Sequence, residues 1–206
     1  ALGSIPLVGA WAASKWIFPW AELVAGKDNP DYKSTTQAWW SVGAVLGSFS
    51  GAQLASLIGR RLAYFLISLG STAATCGLFL FTKPMQSIFL PLLFAQGFIA
   101  TLFFGWLPLY LPELFPTRLR STGVSFCYNV GRFIAATGPI TLGELQAHLG
   151  KAAVAALPAT ADAAAKAEAQ LNAFRNAACW LSLIYLLGLI VLPLLPETKD
   201  QPLPEA

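Results

Sequence analysis

Charge is what this sequence has least of. Lysine, arginine, aspartate and glutamate together make up 11% of 206 residues, against about 25% in an ordinary soluble domain. The net charge of +3 is small and dispersed, which excludes nucleic acid as a partner. Histidine occurs once, at His148, in a polar stretch with no partner nearby. A Ser–His or Cys–His pair is therefore missing, and a membrane enzyme is disfavoured. The three cysteines, Cys76, Cys127 and Cys179, each sit in a separate apolar run. Their odd number argues against a disulfide framework, and the absence of clustered ligands argues against zinc. No glycine-rich loop is present to cradle a phosphate, so the sequence calls for no cofactor and no metal. The chain opens at Ala1 with neither a methionine nor the basic flank of a signal peptide, and reads as a piece of something longer.

What is present is apolar. Hydrophobic residues make up 56% of the chain and the mean hydropathy is +0.60. A soluble fold of this size would leave much of that surface sticky, so the solvent must be partly lipid. Runs of about 20 apolar residues, enough to cross a hydrocarbon core of ~30 Å, occur six times. They are Gly3–Ala25, Ala38–Ile58, Leu62–Thr82, Ile88–Leu111, Leu119–Leu142 and Phe174–Leu195. Lipid offers backbone groups no partners, so each span should be helical. The expected fold is an all-α, multi-pass membrane protein, a six-transmembrane-helix bundle with a polar tail over 196–206.

The links differ in kind. Gly59-Arg60-Arg61 is so tight that the helices it joins must be antiparallel neighbours. The link from His148 to Asn172 is alanine-rich, which predicts a solvated surface helix after Pro158. Arg60, Arg61, Arg118, Arg120 and Lys199 lie on one side of the bundle. Lys27, Lys33, Lys83, Lys151, Lys166 and Arg175 lie on the other, so the count of basic residues leaves orientation nearly open, leaning towards a cytoplasmic arginine side. The first span ends with Phe18-Pro19-Trp20-Ala21-Glu22 and the fourth with Leu107-Pro108, then Pro112-Glu113. Proline at matching places in two three-helix units points to a repeat with a cavity between its copies, although proline is also simply common in membrane helices. The third and sixth spans lack charged and amide side chains and should face lipid.

Pro112 to Arg132 (PELFPTRLRSTGVSFCYNVGR) is a charged elbow between two apolar runs, and the second run carries an arginine inside it. Arg132 lies twelve residues after Arg120, about 18 Å along a helix and close to the midplane. A guanidinium there costs several kcal/mol unless paired or hydrated, and its planar fork suits a carboxylate or phosphate. Asn129 shares its face and Tyr128 lies one turn earlier. Arg132 either binds an anion in a watered pathway or pairs with a helix outside this chain. Lys15 lies near the middle of the first span among Trp11, Trp16 and Trp20, on one face with Trp11, Phe18 and Glu22. It can bind an anion or snorkel to the helix end. Gln53 and Gln96 within spans can contact substrate or bond between helices. Glu22 and Glu144 could each take up a proton if buried, but as span-end carboxylates they read as solvated. Gly138-Pro139 reads as a hinge in the fifth span. Gly43, Gly47 and Gly51 form a smooth face for close helix approach.

Three motifs carry a family resemblance. Gly51–Arg61 (GAQLASLIGRR), Glu113–Gly123 (ELFPTRLRSTG, of the form E-x-F-P-T-x-x-R-x-x-G) and Leu195–Lys199 (LPETK) together span most of the chain. The chain resembles the C-terminal six-helix half of a major facilitator superfamily transporter, half of a twelve-helix fold with 3+3 inverted repeats. It is most similar to proton-coupled organic-acid and metabolite symporters and to sugar-porter-like members. The resemblance implies secondary transport of a small metabolite by alternating access in the bacterial inner membrane, with a proton-coupled organic anion as the cargo. The alternatives are a porter of sugars or other neutral solutes, and a membrane binding or sensor protein that moves nothing. The partners implied are the lipid bilayer, the substrate, protons and an N-terminal six-helix half. The substrate contacts expected from the residues themselves are Arg132, Asn129, Lys15, Gln96 and Trp16. The resemblance also implies a cytoplasmic charge network of Arg60, Arg61, Glu113, Arg118, Arg120 and Glu197 that locks one state. One departure is that Ser56 and Leu57 stand where the family motif has an aspartate and a basic residue.

Overall fold

The protein, here as a computed structural model, is described over residues 3–10, 14–158 and 160–204. Among the described residues eight α-helices follow one another. They are α1 (Ser4–Val8), α2 (Ile17–Ala25), α3 (Tyr32–Ile58), α4 (Arg60–Phe81), α5 (Phe89–Glu113), α6 (Arg120–Ala155), α7 (Ala163–Ser182) and α8 (Ile184–Val191). The bundle is all-α and multi-pass, as its hydropathy requires. Four segments are long and apolar enough to cross a membrane: Tyr32–Ile58, Arg60–Phe81, Phe89–Glu113 and Ala163–Leu194. Helix α6 has 36 residues, but Asn129, Arg132 and a run of hydroxyls dilute its apolarity.

One expectation about the elements, the surface helix after Pro158, needs correcting, and the first span is described in two pieces. Within the first span the described helices are α1 and α2, and a 3-10 turn over Ser14–Trp16 leads into α2. Pro19 sits in the first turn of α2, where its missing N–H is no loss. Pro108 and Pro112 instead lie in the last turns of α5, which runs through them unbroken to Glu113. The prolines of the first and fourth spans therefore do not occupy equivalent helical positions. The alanine-rich link is also mostly helix. Helix α6 continues thirteen residues past Leu142, about 20 Å, and α7 starts at Ala163, capped by Asp162 accepting from the Ala165 N–H at 2.8 Å. Alanine has the highest helix propensity, so α6 and α7 continue beyond the apolar runs as a hairpin. The surface helix expected after Pro158 is the start of the sixth span itself.

Helices α3 and α5 form the most extensive helix pair. Gly43, Gly47 and Gly51 of α3 lie flat against α5, and Gly97 and Gly105 of α5 face back. A Cβ on Gly47 would meet the Phe98 carbonyl oxygen at 2.1 Å, and one on Gly51 the Leu102 oxygen at 2.0 Å. That approach lets the Thr101 hydroxyl donate across to the Ala44 carbonyl at 2.8 Å. The opposite face of α3, with Trp39, Val42, Leu46 and Phe49, stays exposed. Helix α4 is not merely a lipid-facing rod, since Ser68, Ser71, Thr72 and Thr75 point inward and are buried.

Two aromatic clusters close the ends. At one, Trp20 packs on Phe79 and Phe89 at 5.2 and 5.7 Å. At the other, Trp106 lies between Tyr64 and Tyr110 at 4.8 and 4.7 Å, and Phe103 stacks on Tyr185 at 5.8 Å. This second cluster supports the charged end.

Candidate functional site

Charges converge where α3 ends and α4 begins. Gly59 has φ +95°, a left-handed turn that reverses the chain within a single residue, and this delivers Arg60 to the first position of α4. Its guanidinium forms a two-pronged pair with Glu113 at the end of α5: Nη2 to Oε1 at 2.7 Å and Nε to Oε2 at 3.1 Å. Side-chain exposure is only 10% and 14%, so this pair is shielded from solvent. Arg60 Nη1 also donates to the Ala55 carbonyl at 3.2 Å, and the Arg60 carbonyl accepts from the Trp106 indole at 2.9 Å.

The tail motif closes this cluster by capping two helices. Both oxygens of Glu197 accept from the first amides of α4, Arg60 N–H at 2.9 Å and Arg61 N–H at 3.0 Å. Lys199 Nζ donates to the Leu57 carbonyl at the end of α3 at 2.8 Å. An anion at a helix start and a cation at a helix end both complement the backbone dipole. Thr198 donates its hydroxyl to Glu113, and Tyr110 donates to the Pro196 carbonyl at 2.7 Å.

Burial alone would raise the Glu197 carboxyl, but the backbone N–H donors of Arg61, Arg60 and Lys199, with the Arg60 charge, hold it below its ordinary 4.5. Because the folded value lies below the unfolded one, the stability it contributes is full above about 4.5 and fades as pH falls through the folded value. Wild type should therefore exceed Glu197→Gln in thermal stability at pH 7. The gap should close on acidification below pH 4.5, and a gap that persists or widens there would refute the cap.

Of the six residues expected in this network, Arg60, Glu113 and Glu197 meet directly. Arg61 contributes its backbone N–H. Arg120 is turned to the Pro112 carbonyl, with Nε at 3.1 Å. Arg118 is exposed and, among the described residues, makes no hydrogen bond or ion pair. Sequence reasoning missed Trp106, Tyr110, Thr198 and Lys199; the last two stand inside the LPETK motif, which was the available signal.

The residues expected at the substrate are spread over two depths. Gln96 is fully buried and joins four segments. Its Oε1 accepts from the Trp40 indole at 2.8 Å, and its Nε2 donates to Ser14 at 2.7 Å and Thr75 at 3.1 Å. With both ends engaged it ties helices together and leaves no group free for cargo. Trp40 is fixed by this bond, and the exposed Lys15 lays its ammonium 4.3 Å from the Trp40 ring and 5.5 Å from that of Phe18. Trp40 lies eighteen residues before Ile58, about 27 Å along α3, so Lys15 sits nearer the far end than the midplane. Trp16 packs on Phe174 at 5.9 Å. Trp11, expected on the Lys15 face, lies outside the described residues. Glu22 pairs with Lys33 at 2.6 Å in an exposed contact, the kind worth at most about 1 kcal/mol.

Arg132 is exposed on α6 and stacks on Tyr128, one turn earlier, at 5.1 Å. Among the described residues it has no ion pair or hydrogen bond, to Lys15 or to any other side chain. Asn129 is exposed beside it and donates to the Ser125 carbonyl at 2.9 Å. Helix α6 runs through Gly138 and Pro139 without a break. Gly138 borders a cavity of about 400 Å³ with Val8, Ile134 and Ile184.

The family model described as "Sugar (and other) transporter" matches residues 25–206. The "Probable 4-methylmuconolactone transporter" of Cupriavidus pinatubonensis is 32% identical over 157 residues, 74% of this chain and 36% of that relative. The "Cis,cis-muconate transport protein" of Acinetobacter baylyi is 29% identical over 140 residues, 66% of this chain and 32% of its own length. An inner membrane metabolite transport protein of Escherichia coli, YhjE, is 46% identical over 52 residues, 25% of this chain and 12% of the relative. The chain thus spans about a third of the length of the first two. No solved structure matches.

Proposed function

The chain belongs to the sugar (and other) transporter family of the major facilitator superfamily, and from that premise we propose that it is one six-helix half of a carrier that moves a small carboxylate by alternating access. It is a membrane protein of the bacterial inner membrane type, and its relatives are transporters rather than enzymes. In this reading α1 and α2 together make the first crossing and α6 the fifth. The exposed stripe of α3 packs against the N-terminal half of the full protein.

The observation that carries the cargo class is Arg132. A guanidinium near the midplane, without an acidic partner among the described residues and with its face on Tyr128, costs too much to leave facing hydrocarbon. Facing a watered cavity, it offers a fork that fits a carboxylate. Two relatives are named for muconate and methylmuconolactone transport, which agrees with an organic acid. Asn129, Lys15 and Trp16 line the same pathway in this reading, with Lys15 towards the outer mouth. Gln96 acts by holding the Trp40 ring on which Lys15 rests. The Arg60–Glu113–Glu197 cluster is the cytoplasmic lock, and Gly138-Pro139 the place where α6 bends as the halves rock.

The test is uptake into proteoliposomes of full-length protein with a panel of organic acids and sugars. A charged hydrogen bond contributes about 1.5–3 kcal/mol, so Arg132→Ala should lower acid uptake by roughly 10–100-fold, with partial recovery in Arg132→Lys. Undiminished acid uptake removes the anion site, and uptake of sugars alone favours a neutral-solute porter. A monocarboxylate entering with one proton moves no net charge. Collapsing the potential with valinomycin and potassium should then leave uptake intact, while collapsing the pH gradient should stop it.

A further inference from the structure

The sequence separates Cys76 and Cys179 by a hundred residues and two apolar runs, but the fold puts them side by side. Cys76 lies sixteen residues up α4 from Arg60, about 24 Å from the charged cluster, and Cys179 faces it from α7. Their sulfurs are 2.7 Å apart, both thiols are free and both are half-buried. Ser182, one turn further along α7, brings its hydroxyl to 3.0 Å from the Cys76 sulfur. Its other bond, to the Cys179 carbonyl at 2.7 Å, holds it there. One turn before Cys179, Arg175 donates to the Phe79 and Leu80 carbonyls at 2.6 and 2.9 Å and so marks the end of α4. The thiols therefore sit about one turn inside that end. A recess of about 260 Å³ between Leu80, Asn176 and Trp180 opens directly on Cys179. Cys127, half-buried on α6, has no thiol neighbour among the described residues and serves as an internal comparison.

We propose that Cys76 and Cys179 are a modification site, a dithiol that closes to an intramolecular disulfide and staples α4 to α7. The step is thiol–disulfide exchange with a disulfide oxidant. The Cys179 thiolate, reached through the recess, attacks one sulfur of the oxidant, forms a mixed disulfide and expels the other sulfur as a thiolate. The Cys76 thiolate then attacks the Cys179 sulfur and expels the second. The oxidant gains two electrons and leaves as two thiols, which take up the two protons the cysteines lose. With the arginine end cytoplasmic, the pair faces the compartment where disulfides persist. The staple does not depend on what the carrier moves.

The test uses full-length protein in membranes, treated with oxidised glutathione, alkylated with N-ethylmaleimide and mapped by peptide mass spectrometry. The expected result is a peptide joining Cys76 to Cys179 at two hydrogens less than the sum of its parts, reversed by dithiothreitol, while Cys127 is alkylated. In Cys179→Ser the joined peptide disappears and Cys76 becomes alkylated. Diamide, which enters the bilayer, should give the same joined peptide and so bypass any barrier to glutathione. If Cys76 and Cys179 are alkylated as fully as Cys127 after both oxidants, or if Cys179 stops at the glutathione adduct, the site does not exist.

Discussion

Gly47→Val should leave little folded protein, while Gly77→Ala in the neighbouring helix should be neutral or better. A Cβ at Gly47 arrives 2.1 Å from the Phe98 carbonyl oxygen and 2.5 Å from the Thr101 hydroxyl. The first of these is backbone in the middle of α5, held by its own helix, and cannot swing aside. Relief requires moving α3 away from α5, which separates Gly43 and Gly51 from their contacts and breaks the Thr101 bond to Ala44. Overpacking a tight core costs about 1–3 kcal/mol and sometimes more, and here a whole helix pair is pried apart, so the upper end applies. At Gly77 an added methyl would meet no described atom within 4 Å, and alanine gains up to about 1 kcal/mol of helix propensity over glycine. Thermal unfolding of the detergent-purified full-length protein, with gel filtration for monodispersity, compares the two. Equal melting temperatures for both variants would mean that the α3–α5 approach is not what holds this bundle.

The same glycines show what could be read from the sequence. A repeat every fourth residue announces a smooth face, but nothing in α3 says which helix will lie on it; Gly97, Thr101 and Gly105 keep the same spacing in α5, with a threonine in place of the middle glycine. Gln96 is visible as a polar group inside a span. Its partners Ser14, Trp40 and Thr75 lie 82, 56 and 21 residues away, distances that only the fold closes. Hydropathy locates where a chain enters and leaves lipid, not where a helix stops, so it could not show α6 running on to Ala155. The cysteines mislead for a related reason: spacing along a chain carries no information about neighbours across a bundle. The charged cluster was legible through its motifs. Resemblance could suggest that Arg60 meets Glu113, but not that Glu197 acts on backbone amides rather than on arginine side chains.

Glu113→Ala should destabilise the protein by about 3–5 kcal/mol, the cost of leaving one member of a buried pair without its partner. Arg60 has a side chain only 10% exposed, and its Nε and Nη2 both point at Glu113. Without the carboxylate, one bond to the Ala55 carbonyl remains, and the guanidinium must stay unsatisfied or drag the start of α4 outward. Moving that start would also disturb the amides that Glu197 holds, and Thr198 would lose its acceptor. The loss should therefore appear as release of the tail as well as a lower melting temperature. Arg60→Met alone should cost a similar amount by stranding Glu113. The double variant Arg60→Met, Glu113→Leu should recover most of the loss, because apolar groups of similar volume replace a buried pair at little cost. A double-mutant cycle on thermal stability measures this coupling. Single variants within about 0.5 kcal/mol of wild type, the range of ordinary surface changes, would show the pair to be solvated. A double variant no better than the singles would show that the two residues act separately.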